Sequence, residues 1–429
     1  MDRRYGERHF RVSCECGAFL ALLLSYRRYR RIVLSPIALT AAPSHKRLFI
    51  LLSVTLVSGF NQGLVLPLLA ILLDQRGVSS DVNGINSMAL YIGTFSTMFF
   101  IEKPIRTLGY KKGIIFGILL AAVGTSLFPF LTSLGVWFIL RIIVGIGDSA
   151  LHYCTQLWIV SSSPAETRGR YISLYGMAYG IGFSLGPTGI HLLTIANWAP
   201  FCLNAVLFLL VLLFVSSLKT AYPEQAAKQA AVSNRYAATY RLAWFALLPA
   251  ILYGLMEATM NSNFPLYGLR VGLSKESIAL LLPSLGVGSL LLMFPLGMLS
   301  DRIGRKPVLI SCALFAGLMF LIIPLAGNRV FLLLVLLAFI GGFIGSFFSL
   351  GLAYAADLLP RGLLPAANII ASIHFSVGSL LGPGISGFGI QYVSTNSMFI
   401  MLGCAFSLFA VIGLLTRGAP PRPEEAASA

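Results

Sequence analysis

Apolar runs of helical length recur along this chain from Leu48 onward, separated by short polar or glycine-rich turns. A helix needs about 20 apolar residues to cross the hydrocarbon core of a bilayer, and these runs reach that length. The pattern therefore predicts an all-α membrane protein with twelve transmembrane helices, arranged as two six-helix bundles. The predicted segments are residues 48–73, 84–103, 111–132, 135–160, 170–195 and 199–218, then 243–269, 277–299, 307–326, 329–356, 365–393 and 396–416.

The polar stretches around these segments divide the chain into regions. Residues 1–47 are strongly basic, and their apolar run at 17–24 is too short to span a bilayer. Arginines follow that run and no small-residue cleavage site is present, which argues against a signal peptide. The predicted regions are a basic cytoplasmic extension (1–47), the first bundle (48–218), a polar, Ala-rich and partly helical cytoplasmic linker (219–241), the second bundle (242–416) and a cytoplasmic tail (417–429).

The composition excludes a soluble protein. The chain is 57% hydrophobic and 11% charged, whereas a soluble domain carries roughly 25% charged residues. The net charge of +16 could indicate a nucleic-acid partner, but the bases fall in short clusters between apolar runs rather than on one face. The six cysteines form no disulfide framework. We therefore predict a lipid bilayer around the chain, no nucleic-acid partner, no cofactor and no metal site.

The positive charges predict the orientation. If the N-terminus is cytoplasmic, 26 of the 31 bases fall on the cytoplasmic side. Only Arg76, Arg270, Lys275 and Arg329 lie outside, and Arg141 lies within a helix. Basic residues accumulate in cytoplasmic loops. We therefore predict a multi-pass protein of the cell membrane with both termini in the cytoplasm.

The two predicted bundles repeat at a nearly constant offset. Gly109 precedes Gly304 by 195 residues, and Gly186 precedes Gly382 by 196. Both Gly186 and Gly382 are followed by proline. Matches in the same order at one offset are typical of internal duplication.

A dense charge cluster separates the eighth and ninth segments, in residues 297–306 (Gly-Met-Leu-Ser-Asp-Arg-Ile-Gly-Arg-Lys). Such a cluster cannot lie in hydrocarbon, so this turn lies at a membrane surface. The pattern resembles the cytoplasmic loop motif of the major facilitator superfamily of secondary transporters; an ordinary basic membrane loop is the alternative. The resemblance implies alternating access to a midplane site, with a cytoplasmic gate formed by Asp301, Arg302, Gly304 and Arg305.

The first-half copy of this loop departs from the pattern. Arg106 stands where the second copy has Asp301, so the carboxylate is missing there or replaced by Glu102. A carboxylate at a helix end can pair with a base or a neighbouring helix N-terminus, worth roughly 0.3–2 kcal/mol, and such contacts bias one conformation over another. Two more acid–base pairs at predicted cytoplasmic helix ends are interpreted as gate or topology residues: Asp357 with Arg361, and Glu166 with Arg168.

Two further motifs resemble the superfamily, the first its helix-4 arginine motif and the second a motif of its drug:proton antiporter branch. The fourth segment contains Arg141-x-x-x-Gly145, and the fifth contains Gly182, Gly186 and Pro187 in the spacing of a proton-coupled exporter motif. Simple close packing of helices is the alternative for these glycines. Within the branch, the run at 147–152 and the run at 156–158 are similar to exporters of opine-type metal chelators.

The fourth segment carries a polar face. Residues spaced by four, three, four and four share one side of this helix: Arg141, Gly145, Asp148, His152 and Gln156. Asp148 falls near mid-bilayer, where a charge costs about 2.5–3.5 kcal/mol or more. An isolated carboxylate there favours its protonated form, so Asp148 is a candidate for proton coupling. A purely structural Asp148–Arg141 pair is the alternative.

The seventh segment supplies the other intramembrane carboxylate. Glu257 has no base on its own face, which makes it the first candidate for proton coupling; hydrogen bonding to a neighbouring helix is the alternative. We expect the helix to be interrupted at Pro265. Further candidates for substrate binding are Tyr253, Asn261, Asn61, Gln62 and Tyr179, besides Arg141, His152 and Gln156. Tyr175 shares a face with Tyr179, where aromatic packing is equally expected, and His191 and His374 are interpreted as structural.

Together these features predict a monomeric secondary transporter that exports a small polar or amphipathic organic molecule, a drug or a metallophore, in exchange for protons. Import of a sugar or organic acid by the same fold is one alternative. A membrane receptor or intramembrane enzyme using Asp148 and His152 is a more distant one, since no nucleophile or metal-ligand set supports it.

Overall fold

The computed structural model describes residues 45–163, 167–222 and 235–416. Within these residues the chain is entirely helical and contains no strand, in agreement with the all-α prediction. The helices are α1 (His45–Gln75), α2 (Ser80–Thr97), α3 (Glu102–Leu127), α4 (Leu134–Ser161), α5 (Arg168–Leu185), α6 (Ala199–Ser216), α7 (Arg235–Arg270), α8 (Lys275–Ile303), α9 (Arg305–Ala326), α10 (Val330–Ile344), α11 (Phe347–Leu358), α12 (Leu364–Tyr392) and α13 (Ser397–Leu415), with 3-10 turns at Phe128–Phe130, Gly186–Thr194 and Arg361–Leu363.

Several predicted elements lie outside the described residues. These are most of the N-terminal extension, the central part of the linker, Glu166 and the C-terminal tail. The described end of the linker, from Arg235, is helical and forms the first turns of α7. The first helix begins at His45, three residues before the predicted start.

Two predicted segments differ in their internal structure. The fifth changes from α-helix to 3-10 helix at Gly186, because Pro187 has no N–H to continue the α-helical hydrogen bonds. The tenth is split into α10 and α11 at Gly345 and Ser346. Glycine has a low helix propensity, and Gly341, Gly342 and Gly345 weaken the α-helix there.

The predicted interruption at Pro265 is wrong. α7 continues through Pro265 to Arg270. Its non-helical residue is Ala243, which lies near the N-terminal end of the helix. A proline removes one backbone hydrogen bond from a helix. Residues 264–268 are all buried against neighbouring helices, and this packing holds the helix together without that bond.

Ten helices in the described part are long and apolar enough to cross a membrane, with α10 and α11 together forming one of them. The surface agrees with a lipid environment, since large apolar side chains such as Phe294 and Phe331 are 72% and 80% exposed. Contiguous apolar surface of this kind is rare on soluble proteins. The chain is therefore a multi-pass membrane protein.

Two helix pairs, each including a helix that carries a predicted site residue, pack closely. α1 packs on α5, and α7 packs on α12. A Cβ at Gly182 would lie 2.0 Å from the carbonyl oxygen of Leu56, and one at Gly186 would lie 2.5 Å from the backbone nitrogen of Leu64. Only glycine allows the backbones of α1 and α5 to approach so closely.

At one end of the bundle, polar contacts join helices α1–α6 to helices α7–α13. Arg270 Nη2 donates to Ser80 Oγ at 2.7 Å, and Arg270 Nη1 donates to the carbonyl oxygen of Ile390 at 2.9 Å. Nearby, Tyr392 OH donates to Asp81 Oδ2 at 3.1 Å. We call this the Arg270 end. The opposite end, which carries Gly109 and Gly304, is called the Gly109 end.

The polar face of α4 opens toward the Gly109 end. The Asp148 side chain is 2% exposed, His152 one turn further is 23% exposed, and Gln156 after that is exposed. On α5, Gly176 and Gly180 have open space where a Cβ would lie, and no described atom fills it. Access to the centre is therefore from the Gly109 end in this conformation.

Candidate functional site

The centre of the site is Asp148 on α4. The hydroxyl of Ser58 on α1 donates to Asp148 Oδ1 at 2.5 Å, and the amide of Gln62 donates to Asp148 Oδ2 at 2.9 Å. Ser58 and Gln62 are four residues apart and share one face of α1. Both carboxylate oxygens therefore have uncharged donors from a single neighbouring helix.

His152 extends this cluster by one turn of α4. Its Nε2 lies 3.1 Å from Ser58 Oγ and 3.8 Å from Asp148 Oδ2. Its Nδ1 lies 2.6 Å from the hydroxyl of Tyr175 on α5. Also on α5, Tyr179 donates a hydrogen bond to Gln62 Oε1. Side chains of α1, α4 and α5 therefore form a continuous chain of hydrogen bonds that passes through Asp148.

Arg141 does not join this cluster. It is 1% exposed, and its Nη1 donates to Ser87 Oγ on α2 at 3.3 Å. Its Nε and Nη2 have no hydrogen-bond partner, and no carboxylate among the described residues lies within 4.0 Å of it. The direct Asp148–Arg141 pair is therefore not formed in this conformation. Both residues border one small cavity, with Asn61 and Gln62, which has room for about one water molecule.

Glu257 on α7 is the carboxylate of the other half. Its carboxylate has no hydrogen bond or ion pair among the described residues. It acts electrostatically on three tyrosines, namely Tyr91, Tyr179 and Tyr253. Asp148 acts on two of the same three, Tyr91 and Tyr179. Tyr91 and Tyr179 therefore lie within electrostatic range of both carboxylates.

The other predicted binding residues have mixed surroundings. Asn261 donates to the backbone oxygen of Glu257 at 2.8 Å, and Tyr253 packs on Phe375. Asn61 borders the small cavity but also accepts a hydrogen bond from Asn204 on α6 at 2.7 Å. Their roles as substrate ligands stay predictions. His374 Nδ1 lies 3.1 Å from the backbone oxygen of Leu247, and His191 is exposed.

The predicted gate loop forms a turn at the Gly109 end. Gly304 has a φ of 94° and Gly109 has a φ of 79°, a region that favours glycine. Arg305 Nε lies 3.2 Å from Asp357 Oδ2, and Arg305 Nη2 lies 3.8 Å from Asp301 Oδ1. The base at this turn therefore links the start of α9 to the end of α11.

The first-half loop is organised differently. Glu102 pairs with Arg106 within the first turn of α3, at 2.5 Å between Oε1 and Nη2. Both side chains are well exposed, so this pair contributes little to stability. Lys111 donates to the backbone oxygen of Ser216 at the end of α6, and Lys306 donates to that of Thr416 at the end of α13. These lysines therefore join α3 to the end of α6 and α9 to the end of α13.

Sequence reasoning missed three members of the site. Ser58 was not identified, although it lies four residues before Gln62 and the spacing could have indicated it. The other two are Ser87, which accepts a hydrogen bond from Arg141, and Arg270, which joins the halves. Neither had a sequence signal beyond its polarity. Their partners lie on helices that are distant along the chain.

An all-helical membrane protein with a buried polar centre, reached from one end and closed at the other, has the features of a membrane transporter. The family model of the Major Facilitator Superfamily matches residues 51–287 and 248–429. The chain belongs to this superfamily. Its members are transporters and not enzymes, which excludes the intramembrane-enzyme alternative.

Individual relatives agree with this assignment. The uncharacterized MFS-type transporter YfkF of Bacillus subtilis (strain 168) is 38% identical over 368 residues, which are 84% of this chain and 92% of YfkF. The uncharacterized MFS-type transporter YcaD of Escherichia coli O7:K1 (strain IAI39 / ExPEC) is 24% identical over 356 residues, 82% of this chain and 91% of YcaD.

Two solved structures share the fold. The nucleoside transporter NupG superposes with a TM-score of 0.70 at 13% identity, covering 86% of this chain and 98% of NupG. A bacterial homolog of the human lysosomal transporter Spinster, in an inward-facing and unoccupied conformation, gives a TM-score of 0.59 at 14% identity over 87% and 96% of the two chains. At these identities the likeness concerns the fold alone.

Proposed function

We propose that this transporter exports a small organic molecule in exchange for protons. The observation that carries the proposal is the pair of intramembrane carboxylates, Asp148 and Glu257, one in each half. In the described part of the chain neither forms an ion pair with a lysine or arginine. A carboxylate in the membrane interior without a lysine or arginine beside it gains by binding a proton, so each can load and release one as its access changes.

The architecture we propose has twelve spans in two repeated halves. Close helix contacts recurring at one offset support it. Gly182 meets the oxygen of Leu56 between α5 and α1, and Gly378 meets the oxygen of Ile251 between α12 and α7. The glycines are 196 residues apart and their partners 195. α2 and α5, with 18 residues each, are then spans too, and they are more polar than the others because they border the central site.

We propose that the protein lies in the plasma membrane as a monomer. In the proposed orientation both termini are in the cytoplasm. The excess of bases at the Gly109 end supports this. In that orientation the conformation described above is open to the cytoplasm and closed outside by Arg270. Cargo then enters from the cytoplasm, and protons enter when the other conformation opens outward.

The cargo class we propose is polar or amphipathic, a drug or a metallophore, in keeping with the drug:proton antiporter-like motifs. Amide, hydroxyl and imidazole groups line the approach to Asp148, which supports a cargo with several hydrogen-bonding groups. Gly182, Gly186 and Pro187 support the antiporter assignment only through their spacing.

Everted membrane vesicles test direction and coupling together. Candidate compounds, metal chelators included, are first screened for an increase in the melting temperature of the purified protein. A compound that binds is then offered to vesicles with and without a proton gradient. Gradient-dependent accumulation inside everted vesicles is the expected result. Accumulation by whole cells instead would indicate import and would overturn the export direction.

A further inference from the structure

A chain of four hydrogen-bonded side chains leads from Asp148 toward the Gly109 end. Its members are Asp148, Ser58, His152 and Tyr175, joined at 2.5, 3.1 and 2.6 Å. Asp148 and His152 do not bond directly, since Asp148 Oδ2 and His152 Nε2 are 3.8 Å apart. The hydroxyl of Ser58 therefore makes the connection between them.

The two oxygens of Asp148 have different donors. Oδ2 accepts from the amide of Gln62, and Oδ1 accepts from the hydroxyl of Ser58. A hydroxyl can donate and accept at the same time, whereas the amide nitrogen only donates. Ser58 is buried and can pass a proton on, while Gln62 holds the carboxylate in place.

We propose that Ser58 and His152 form the proton relay that loads and unloads Asp148 from the Gly109 end. This inference rests on the proposed proton coupling. With Asp148 ionised, Ser58 donates to it, His152 donates through Nε2–H to Ser58, and Tyr175 donates to Nδ1. His152 is 23% exposed and lies between the buried carboxylate and the open end.

One proton crosses this chain by four linked transfers. A hydronium ion at the open end gives a proton to the Tyr175 oxygen and becomes water, as the Tyr175 O–H proton moves to His152 Nδ1. The Nε2–H bond breaks as a new O–H bond forms on Ser58, and the original Ser58 proton moves to Asp148 Oδ1. One proton enters at Tyr175 and one remains on Asp148. His152 ends neutral in its other tautomer, and unloading runs the same transfers in reverse.

Among the described residues, no other ionisable group near Asp148 can take the place of His152. The groups that face Asp148 are Arg141 and His152 on α4, Tyr91 on α2, and Tyr175 and Tyr179 on α5, while Glu257 on α7 acts on Tyr91 and Tyr179. α1 contributes only Ser58 and Gln62 to the described site, and α3 packs on α4 through Gly117 against Gly147. Among these groups only the imidazole has two ring nitrogens, one a donor and one an acceptor, so it can accept a proton on one side and release one on the other.

A proton-jump experiment on the purified full-length chain in nanodiscs tests the relay without any cargo. Light releases protons from a caged compound, and time-resolved infrared spectroscopy follows the carboxylic C=O band of Asp148, which is assigned by its loss in Asp148→Asn. We expect Ser58→Ala to slow the rise of this band on the order of 100-fold. Ser58→Thr keeps a hydroxyl and restores the rate.

Thr55→Ala is the matched control. Thr55 is equally buried one turn earlier on α1, but its hydroxyl bonds to the backbone oxygen of Leu51 at 2.9 Å. This variant keeps the wild-type rate. His152→Leu is the second relay variant and decides the question if Ser58→Ala does not fold.

If Asp148 in Ser58→Ala is protonated at the wild-type rate, the relay is wrong. If Ser58→Ala does not fold, the same result in His152→Leu overturns it. The absence of any Asp148 band in the wild type between pH values that bracket neutrality would overturn it too. Neither result requires transport, so the relay can fail while gradient-driven transport still depends on Glu257 and Asp148, and the proposed function then stands.

Discussion

The two carboxylates of the site differ in how many protein donors they have. Asp148 accepts from Ser58 and Gln62, whereas Glu257 has no donor among the described residues. Donors to an ionised carboxylate stabilise its charge. Asp148 is therefore held in a fixed position, while Glu257 is free to bind a proton or a donor group of the cargo.

Arg141 is buried with two N–H groups that have no partner in the described structure. Replacing a buried charge with an apolar side chain of similar volume is often neutral or stabilising. We expect Arg141→Met to change the melting temperature by less than about 3 °C while lowering transport. Thiol-reactive fluorescence on heating measures the melting temperature.

The contrasting variant is Asn204→Ala. Asn204 donates to Asn61 and to Thr125 at 2.7 and 3.2 Å, so its loss leaves two buried acceptors without their donor. It should cost about 1–3 kcal/mol and lower the melting temperature clearly. If Arg141→Met destabilises the protein as much as Asn204→Ala, Arg141 is a structural residue and its functional interpretation is wrong.

At the scale of helices, the packing of α5 on α1 depends on single glycines. A Cβ at Gly182 would lie 2.0 Å from the Leu56 oxygen, so Gly182→Ala forces the two helices apart. We expect a loss of about 1–3 kcal/mol, as in other overpacked cores. Denaturant or thermal unfolding in detergent measures it.

Gly180→Ala is the matched control on the same helix. No described atom lies within 4 Å of a Cβ there, and alanine has the higher helix propensity, by about 1 kcal/mol. Its stability should be equal to the wild type or higher. Equal losses in the two variants would mean that α5 does not pack on α1 through Gly182.

The helices themselves could be predicted from the sequence, because apolar length alone determines which runs can span a bilayer. The polar face of α4 could also be predicted, because Asp148 and His152 are one helical turn apart in the sequence. The separation of Arg141 from Asp148 could not, because it depends on Ser87 of α2 lying beside Arg141. Pro265 misled the prediction, since burial of its neighbours keeps α7 helical there.

For the whole molecule, the Arg270 end holds the described conformation closed. Arg270 bonds across the halves there, to Ser80, and its bond to the backbone oxygen of Ile390 positions it. Removing it weakens this end alone, so Arg270→Ala should shift the equilibrium toward the conformation open at the Arg270 end. Hydrogen bonds to charged groups contribute about 1.5–3 kcal/mol, equivalent to roughly a tenfold or larger population shift.

The shift can be measured by pulsed electron–electron double resonance between two spin labels. The labels are placed at Gln75 and Val393, which are both exposed at this end, and the shift is seen as a population at longer distance. Arg76→Ala is the control, because Arg76 lies at the same end but bonds to Thr132 and stacks on Trp137 within one half. Identical distance distributions in Arg270→Ala and the wild type would contradict the gating role.

The central claim is that transport is driven by protons through Glu257 and Asp148, and gradient-driven transport in proteoliposomes tests it most directly. With a compound found by the binding screen and an imposed proton gradient, Glu257→Gln and Asp148→Asn should each abolish accumulation. Glu276→Gln, the same change at an exposed carboxylate at the start of α8, should leave it intact. If the two single variants and the double variant still concentrate the compound, the proton-coupling account is wrong.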